Sequence, residues 1–162
     1  YGFRSVRDNN SCLSLFLLGV RSSGYVYNDF NFSNGVCILY MVIFIVEPDK
    51  LMQSAYHNAL ESEDREIINF RTAHLAVRAL EKIIPDVVIL ELALPGHNGF
   101  ELLYELRSYH DTRNVKVIVN SFLEEKKVPW GYVDRNDFGI TEYLHKPFAS
   151  LDDVKKAVNA VA

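Results

Sequence analysis

Pro85-Asp86-Val87-Val88-Ile89-Leu90-Glu91-Leu92-Ala93-Leu94-Pro95-Gly96-His97-Asn98-Gly99 is the stretch whose reading decides the fold of this 162-residue chain. It is a short run of mostly β-branched apolar residues that ends on a carboxylate, followed by a Pro/Gly-rich loop. An amphipathic helix is expected to start near Phe100, with Leu102, Leu103 and Leu106 facing inward. An unbroken Val/Val/Ile/Leu run bounded by turn residues suits a strand buried on both faces, the mark of a parallel sheet. Glu91 then stands at the carboxyl end of a central strand, where open α/β sheets place their ligand sites.

The same pattern repeats on either side. Val42–Val46 is an apolar run ending in Glu47-Pro48-Asp49, and Leu51, Met52, Ala55, Tyr56, Ala59 and Leu60 follow at helical spacing. Ile67, Ile68 and Phe70 make a second short strand. Thr72 is placed to cap a helix carrying Leu75, Ala76, Ala79, Leu80 and Ile83. Val115–Val119 reads as a fourth strand ending at Asn120-Ser121, and Thr141–Leu144 as a fifth ending at His145-Lys146-Pro147. Ser150 can cap a closing helix with Val154, Ala157, Val158 and Val161 on its inner face. Strands alternating with helices predict βαβ units and right-handed crossovers. Between Leu123 and Phe138, Pro129 and Gly131 interrupt the crossover, so a shortened or late-starting helix is expected there.

Residues 1–40 read differently, with Asn/Ser/Gly clusters, little charge and no sustained period. The expectation is a poorly structured extension or upstream translated sequence, with Met41 as the natural start of the 41–162 domain. The apolar patch Leu13–Val20 has signal-peptide length but no small-residue cleavage pattern after it. Val36–Val46 is too short to span a bilayer, for which ~18 apolar residues are needed. Asn31-Phe32-Ser33 is a sequon that chance explains. Both cysteines, Cys12 and Cys37, precede Met41, so no disulfide or thiolate framework supports the main body, in keeping with a cytoplasmic setting. A net charge of −4 gives no basic face for nucleic acid.

The chemistry gathers at the carboxyl ends of the strands. Glu47 and Asp49, Glu91, Ser121 and Lys146 fall at four strand ends that share one edge of a parallel sheet. Singly these are ordinary loop residues; together they describe a small site for an anion, or for a cation with a phosphate. Elsewhere the sequence is quiet. His57, His74, His97, His110 and His145 show no metal-ligand spacing. No G-x-G-x-x-G, Walker A loop or G-x-S-x-G elbow occurs. Trp130, Tyr132 and Phe138 read as local core under an irregular loop, with a partner surface as the alternative.

Met41–Ala162 resembles the receiver domain of two-component response regulators, chiefly through Leu94-Pro95-Gly96-His97-Asn98-Gly99-Phe100-Glu101-Leu102-Leu103 and Gly139-Ile140-Thr141-Glu142-Tyr143-Leu144-His145-Lys146-Pro147-Phe148. The resemblance implies a flavodoxin-like α/β fold, a five-stranded parallel sheet in the order 2-1-3-4-5 with helices on both faces. In the family an aspartate ending the third strand accepts a phosphoryl group from a histidine kinase, and Glu91 stands at that position. Paired acids ending the first strand hold Mg²⁺ in the family. Glu47 matches the first, Pro48 replaces the second with a side chain that offers no ligand atom, and Asp49 lies one residue beyond. Ser121 matches the hydroxyl residue, Tyr143 the switch aromatic and Lys146 the conserved lysine before proline.

These departures imply a degenerate site. Mg²⁺ prefers near-octahedral oxygen coordination and neutralises charge on a transferring phosphoryl group. The extra methylene of Glu91 moves its carboxylate ~1.5 Å outward, the length of a C–C bond, and a misplacement of about 1 Å can cost on the order of 10²-fold in rate. The expectation is a non-enzymatic, stand-alone pseudo-receiver in phosphorelay signalling, with no cofactor or at most weak Mg²⁺. A longer anion at Glu91 would partly imitate the phosphorylated state through Lys146 and Ser121; the plain alternative is that Lys146 only neutralises an acid cluster. The expected partner is a protein, whether histidine kinase, downstream effector or a second copy, with no nucleic acid and no membrane span. In the family the fourth helix, fifth strand and fifth helix form the contact face, which the Leu123–Phe138 segment would alter. The rival readings are a working receiver that phosphorylates Glu91 with Mg²⁺, and a flavodoxin-like small-ligand-binding module using Glu47, Glu91 and Lys146.

Overall fold

The Val/Ile-rich runs form strands because branched side chains fit a pleated sheet covered on both sides. A computed structural model describes residues 41–96, 99–128, 130 and 135–161, so the expectation for residues 1–40 lies outside the described residues, as do Pro129, Gly131 and Tyr132. The strands are β1 (Met41–Val46), β2 (Arg65–Phe70), β3 (Val87–Leu90), β4 (Lys116–Ser121) and β5 (Ile140–His145). All pair in parallel, in the order β2-β1-β3-β4-β5. The helices are α1 (Lys50–Leu60), α2 (Ala73–Leu80), α3 (Gly99–Ser108) and α4 (Leu151–Val161).

The alternation of side chains along each strand divides the core in two. Val42, Phe44 and Val46 of β1, Val88 and Leu90 of β3, and Val117 and Val119 of β4 pack with Ala73 and Ala76 of α2 and Leu102, Leu103 and Leu106 of α3. Ile43, Ile45, Val87, Ile89 and Ile118 turn the other way, against Tyr56 and Leu60 of α1 and Val154, Ala157 and Val158 of α4. β1, β3 and β4 are thus buried on both faces, which is why they read as unbroken apolar runs.

The caps follow side-chain chemistry. Leu75 N–H donates to Thr72 Oγ1 at 3.3 Å, starting α2. Ser150 and Asp153 form a reciprocal capping box at α4: Asp153 N–H donates to Ser150 Oγ (3.2 Å), and Ser150 N–H donates to Asp153 Oδ2 (2.9 Å). Two expectations change. Leu51 and Leu75 belong to the first turns of their helices but are exposed, at 82% and 48%. In the β4–β5 crossover the described residues hold two short 3₁₀ turns, Glu125–Lys127 and Arg135–Phe138, rather than an α-helix. Phe138 of the second turn is buried, packed edge-on against Tyr104 of α3 and Phe100. Trp130 adds to this cluster beside Phe100 and Tyr143.

Arg107 fastens the irregular crossover to α3. Its guanidinium donates to the carbonyls of Thr112, Arg113, Val115 and Phe138. Gly139, directly after, has φ +66°, a left-handed conformation that glycine adopts at no steric cost. β5 then enters the sheet with one residue extra opposite Val117/Ile118, and Thr141 Oγ1 restores a bond to the Val117 carbonyl at 3.2 Å.

Candidate functional site

The parallel sheet brings Glu47, Glu91, Ser121 and Lys146 together at its carboxyl edge, and each is buried. Glu47 follows β1 directly, and Glu91 follows β3, its N–H bonded to the Val46 carbonyl at 3.0 Å. Ser121 ends β4. Lys146 follows β5, its N–H donating to the Ser121 carbonyl at 2.9 Å, which aims its side chain back across the sheet edge.

The Lys146 ammonium donates to Glu91 Oε2 at 2.6 Å and to Glu47 Oε2. All three side chains are at most 4% exposed. Glu91 also accepts from the Ser121 hydroxyl, from Ala93 N–H at 2.8 Å and from Phe122 N–H at 3.3 Å. With one ammonium, one hydroxyl and two amides, its carboxylate is fully engaged. The second oxygen of Glu47 accepts from Asp49 N–H at 3.1 Å. The Phe122 ring covers the ammonium at 4.9 Å, a cation–π arrangement that also excludes water.

Two sequence candidates border the cluster with further partners of their own. Asp49 serves the following helix: its Oδ1 caps α1, accepting from Leu51 N–H (2.7 Å) and Met52 N–H (3.3 Å). Tyr143 reaches past Ser121, its hydroxyl donating to the Leu123 carbonyl at 2.9 Å with its ring edge-on to Trp130. Burial, then the charges of Glu91 and Glu125, push its hydroxyl up to about 12. Burial and the charges of Glu47, Glu91 and Asp49 raise Tyr56 further, so both phenols stay neutral at physiological pH.

The Pro48 side chain offers no oxygen, Asp49 caps α1, and the Glu47 and Glu91 carboxylates meet around Lys146. Among the described residues no group of three or more His, Cys, Asp or Glu is placed to hold a metal. The side chain that balances these acids is the lysine.

Sequence reasoning missed the amides of Ala93 and Phe122, because a backbone donor leaves no residue-type signal. It also missed the buried pair beneath the cluster, in which Asn120 Nδ2 donates to the Tyr56 hydroxyl at 3.0 Å. The only available hint was a polar residue ending an apolar strand.

This arrangement defines a doubly wound α/β domain whose site is built from strand ends on one edge of the sheet. The chain belongs to the response regulator receiver domain family, whose profile matches residues 43–159. It is therefore a receiver domain of two-component signalling. It is 28% identical over 108 residues to the response regulator protein GraR of Staphylococcus epidermidis, and equally to that of Staphylococcus aureus. That match covers 67% of this chain and 46% of GraR, so the chain spans less than half the length of these relatives. The phosphorylated cyanobacterial phytochrome response regulator RcpA is similar in structure, with a TM-score of 0.59 and 26% identity over 75% of this chain and 91% of RcpA. The signal receiver domain of a LuxO repressor protein from Vibrio parahaemolyticus shares the fold, with a TM-score of 0.65 and 22% identity over 76% of this chain and 90% of that one. Among the described residues no helix is long and apolar enough to cross a membrane.

Proposed function

We propose that this receiver domain signals without phosphoryl transfer, through contacts with a protein partner in the cytoplasm: a histidine kinase, an effector or a second copy. The observation that carries the reading is the engagement of the Glu91 carboxylate by Lys146, Ser121 and the amides of Ala93 and Phe122. An acceptor carboxylate must present a free oxygen to the incoming phosphorus, and each Glu91 oxygen is bonded to two donors. These are also the kinds of donor that would order a phosphoryl group's oxygens. One anion, fixed in covalent structure, holds them permanently. Its single charge is less than the −1.5 to −2 of a phosphate, and Lys146 shares its own charge with Glu47, so the arrangement balances without a metal.

The test is treatment of the full-length chain with acetyl phosphate and Mg²⁺, read by intact mass. Wild type is expected to gain no phosphoryl mass and to show no Mg²⁺-dependent shift in unfolding midpoint. The Pro48→Asp/Glu91→Asp double variant, which supplies both missing carboxylates, is expected to gain about 1.4 kcal/mol of stability at a Mg²⁺ concentration tenfold above its Kd. Phosphoryl mass on wild type at Glu91 sinks the reading and makes this a working receiver with an unusual acceptor.

A further inference from the structure

Between α1 and the start of α4 lies a cavity of about 150 Å³, open on one side and lined by Met52, Ala55, Tyr56, Ala149 and Leu151 with Lys146. Its wall is mostly apolar, and a space of this size takes a single phenyl ring. Two residues that flank the lining in sequence stand out into solvent. Phe148, just before Ala149, is 85% exposed, and Leu51, just before Met52, is 82% exposed. One exposed apolar side chain is ordinary, but two beside an open apolar hollow mark a surface that a partner covers. Phe148 does not fill the hollow next to it; its ring lies edge-on to His145, with centroids 5.3 Å apart.

We infer that this face pairs two copies of the chain about a two-fold axis, with Phe148 of each copy seated in the Met52/Ala55/Ala149/Leu151 cavity of the other. A knob and a hole of matching size, side by side on one surface, suit an isologous contact, because a half-turn satisfies both at once. The charges at the rim agree. Lys50 opens α1 and Asp152 lies in the first turn of α4; both are exposed, and neither has a partner among the described residues. Seating Phe148 brings the start of α4 in one copy against α1 of the other, so Lys50 meets the partner's Asp152 twice per dimer and fixes its orientation. The face centres on α1 and the β5–α4 loop rather than on β5. A buried aromatic residue covers about 150–250 Å². Two Phe148 rings with Leu51 and Leu151 around them therefore fall short of the ~1,600 Å² of a standard complex, and a weak, reversible dimer is expected. Lys146 both lines the cavity and holds Glu47 and Glu91, so the interface touches the side chain that orders the acid cluster. The inference rests on the reading that this domain acts through protein contacts and names a second copy as the partner, whether or not Glu91 takes up phosphate.

Sedimentation equilibrium of the full-length chain, from micromolar to near-millimolar concentration, is the test, with reductant present so that Cys12 and Cys37 do not cross-link copies. Wild type is expected to show a reversible monomer–dimer equilibrium. Phe148→Ala, at an exposed position, is expected to weaken the dimer at least about hundredfold, because each dimer loses two aromatic anchors. Ala55→Leu, which fills the hole from α1, is expected to do the same, and Ala149→Leu replaces it if that variant does not fold. Mixing Phe148→Ala with Ala55→Leu restores one knob-in-hole pair, so the mixture is expected to associate more tightly than either variant alone. A wild type that stays monomeric throughout would overturn the inference and leave the surface to a different protein. A dimer that survives Phe148→Ala, or a mixture no tighter than its components, would overturn it equally. Phosphoryl mass on Glu91 would bear only on the phosphorylation-independent reading, and sedimentation only on this one.

Discussion

Lys146 Nζ lies 2.6 Å from Glu91 Oε2 with both side chains only 2% exposed, joining the ends of β5 and β3 across the intervening β4. The same ammonium meets Glu47 at the end of β1. One cation therefore ties three strand ends together, and the net buried charge of the three groups is −1. The hydroxyl of Ser121 and the amides around Glu91 and Glu47 spread that residual charge.

Removing the cation leaves two carboxylates facing each other in a buried space. Breaking a buried ion pair from one side typically costs about 3–5 kcal/mol, because the remaining charge has lost its partner. Lys146→Met, which keeps the apolar stem, is expected to lower stability by about that amount in urea unfolding at pH 7. A variant as stable as wild type at pH 7 would mean that the triad is solvated and structurally idle.

Asp86, ahead of β3, holds the start of β1 by accepting from Val42 N–H at 2.8 Å. Burial pushes its carboxyl up to about 6, against the smaller lowering effect of that hydrogen bond. A carboxyl raised above its unfolded value of 3.8 contributes stability that is complete below about pH 4 and is lost as pH rises through about 6. Stability should thus fall between pH 4 and pH 7 by about 1–2 kcal/mol on this group's account, discounted for its partial solvent contact. Asp86→Asn keeps an acceptor for Val42 and removes the charge. The difference between wild-type and variant unfolding free energies across that pH range measures the effect, and a flat difference would refute it.

Gly139 couples a backbone requirement to a side-chain clamp. At φ +66°, a Cβ would be strained, and it would fall against the Arg107 guanidinium, whose Cζ would lie 2.8 Å away. Gly139→Ala is expected to cost on the order of 1–3 kcal/mol, since Arg107 must also release part of its carbonyl set. Amide exchange should then quicken first at Val115, Val117 and Phe138, the residues this junction joins. A variant whose exchange rises evenly across the sheet would show that Arg107 is not a local clamp.

Much of this was legible in the residues. Val87–Leu90 announced a strand covered on both faces, because only such a strand has no polar side to alternate with. The convergence of Glu47, Glu91, Ser121 and Lys146 followed from parallel topology alone, which puts all carboxyl ends on one edge. Thr72 and Ser150 declared themselves as caps through their hydroxyls and positions. Asp49 did not: a carboxylate three residues past a strand can serve a cation or a helix N-terminus, and only the path of the chain after Pro48 selects the cap. Leu51 and Leu75 followed the helical period yet stand outside the core, since periodicity gives a face but not how far the neighbouring sheet extends.

The sequence by itself determined the order of elements, the parallel sheet and the identity of the groups at its edge, because these depend on local pattern and on a topology with few alternatives. Only the tertiary structure decided that Lys146 bridges Glu47 and Glu91, that backbone amides complete the Glu91 shell, and that Asn120 and Tyr56 meet beside a cavity. Those outcomes depend on distances between chain segments up to 99 residues apart, which hydrophobic packing of both sheet faces sets and which no local pattern encodes.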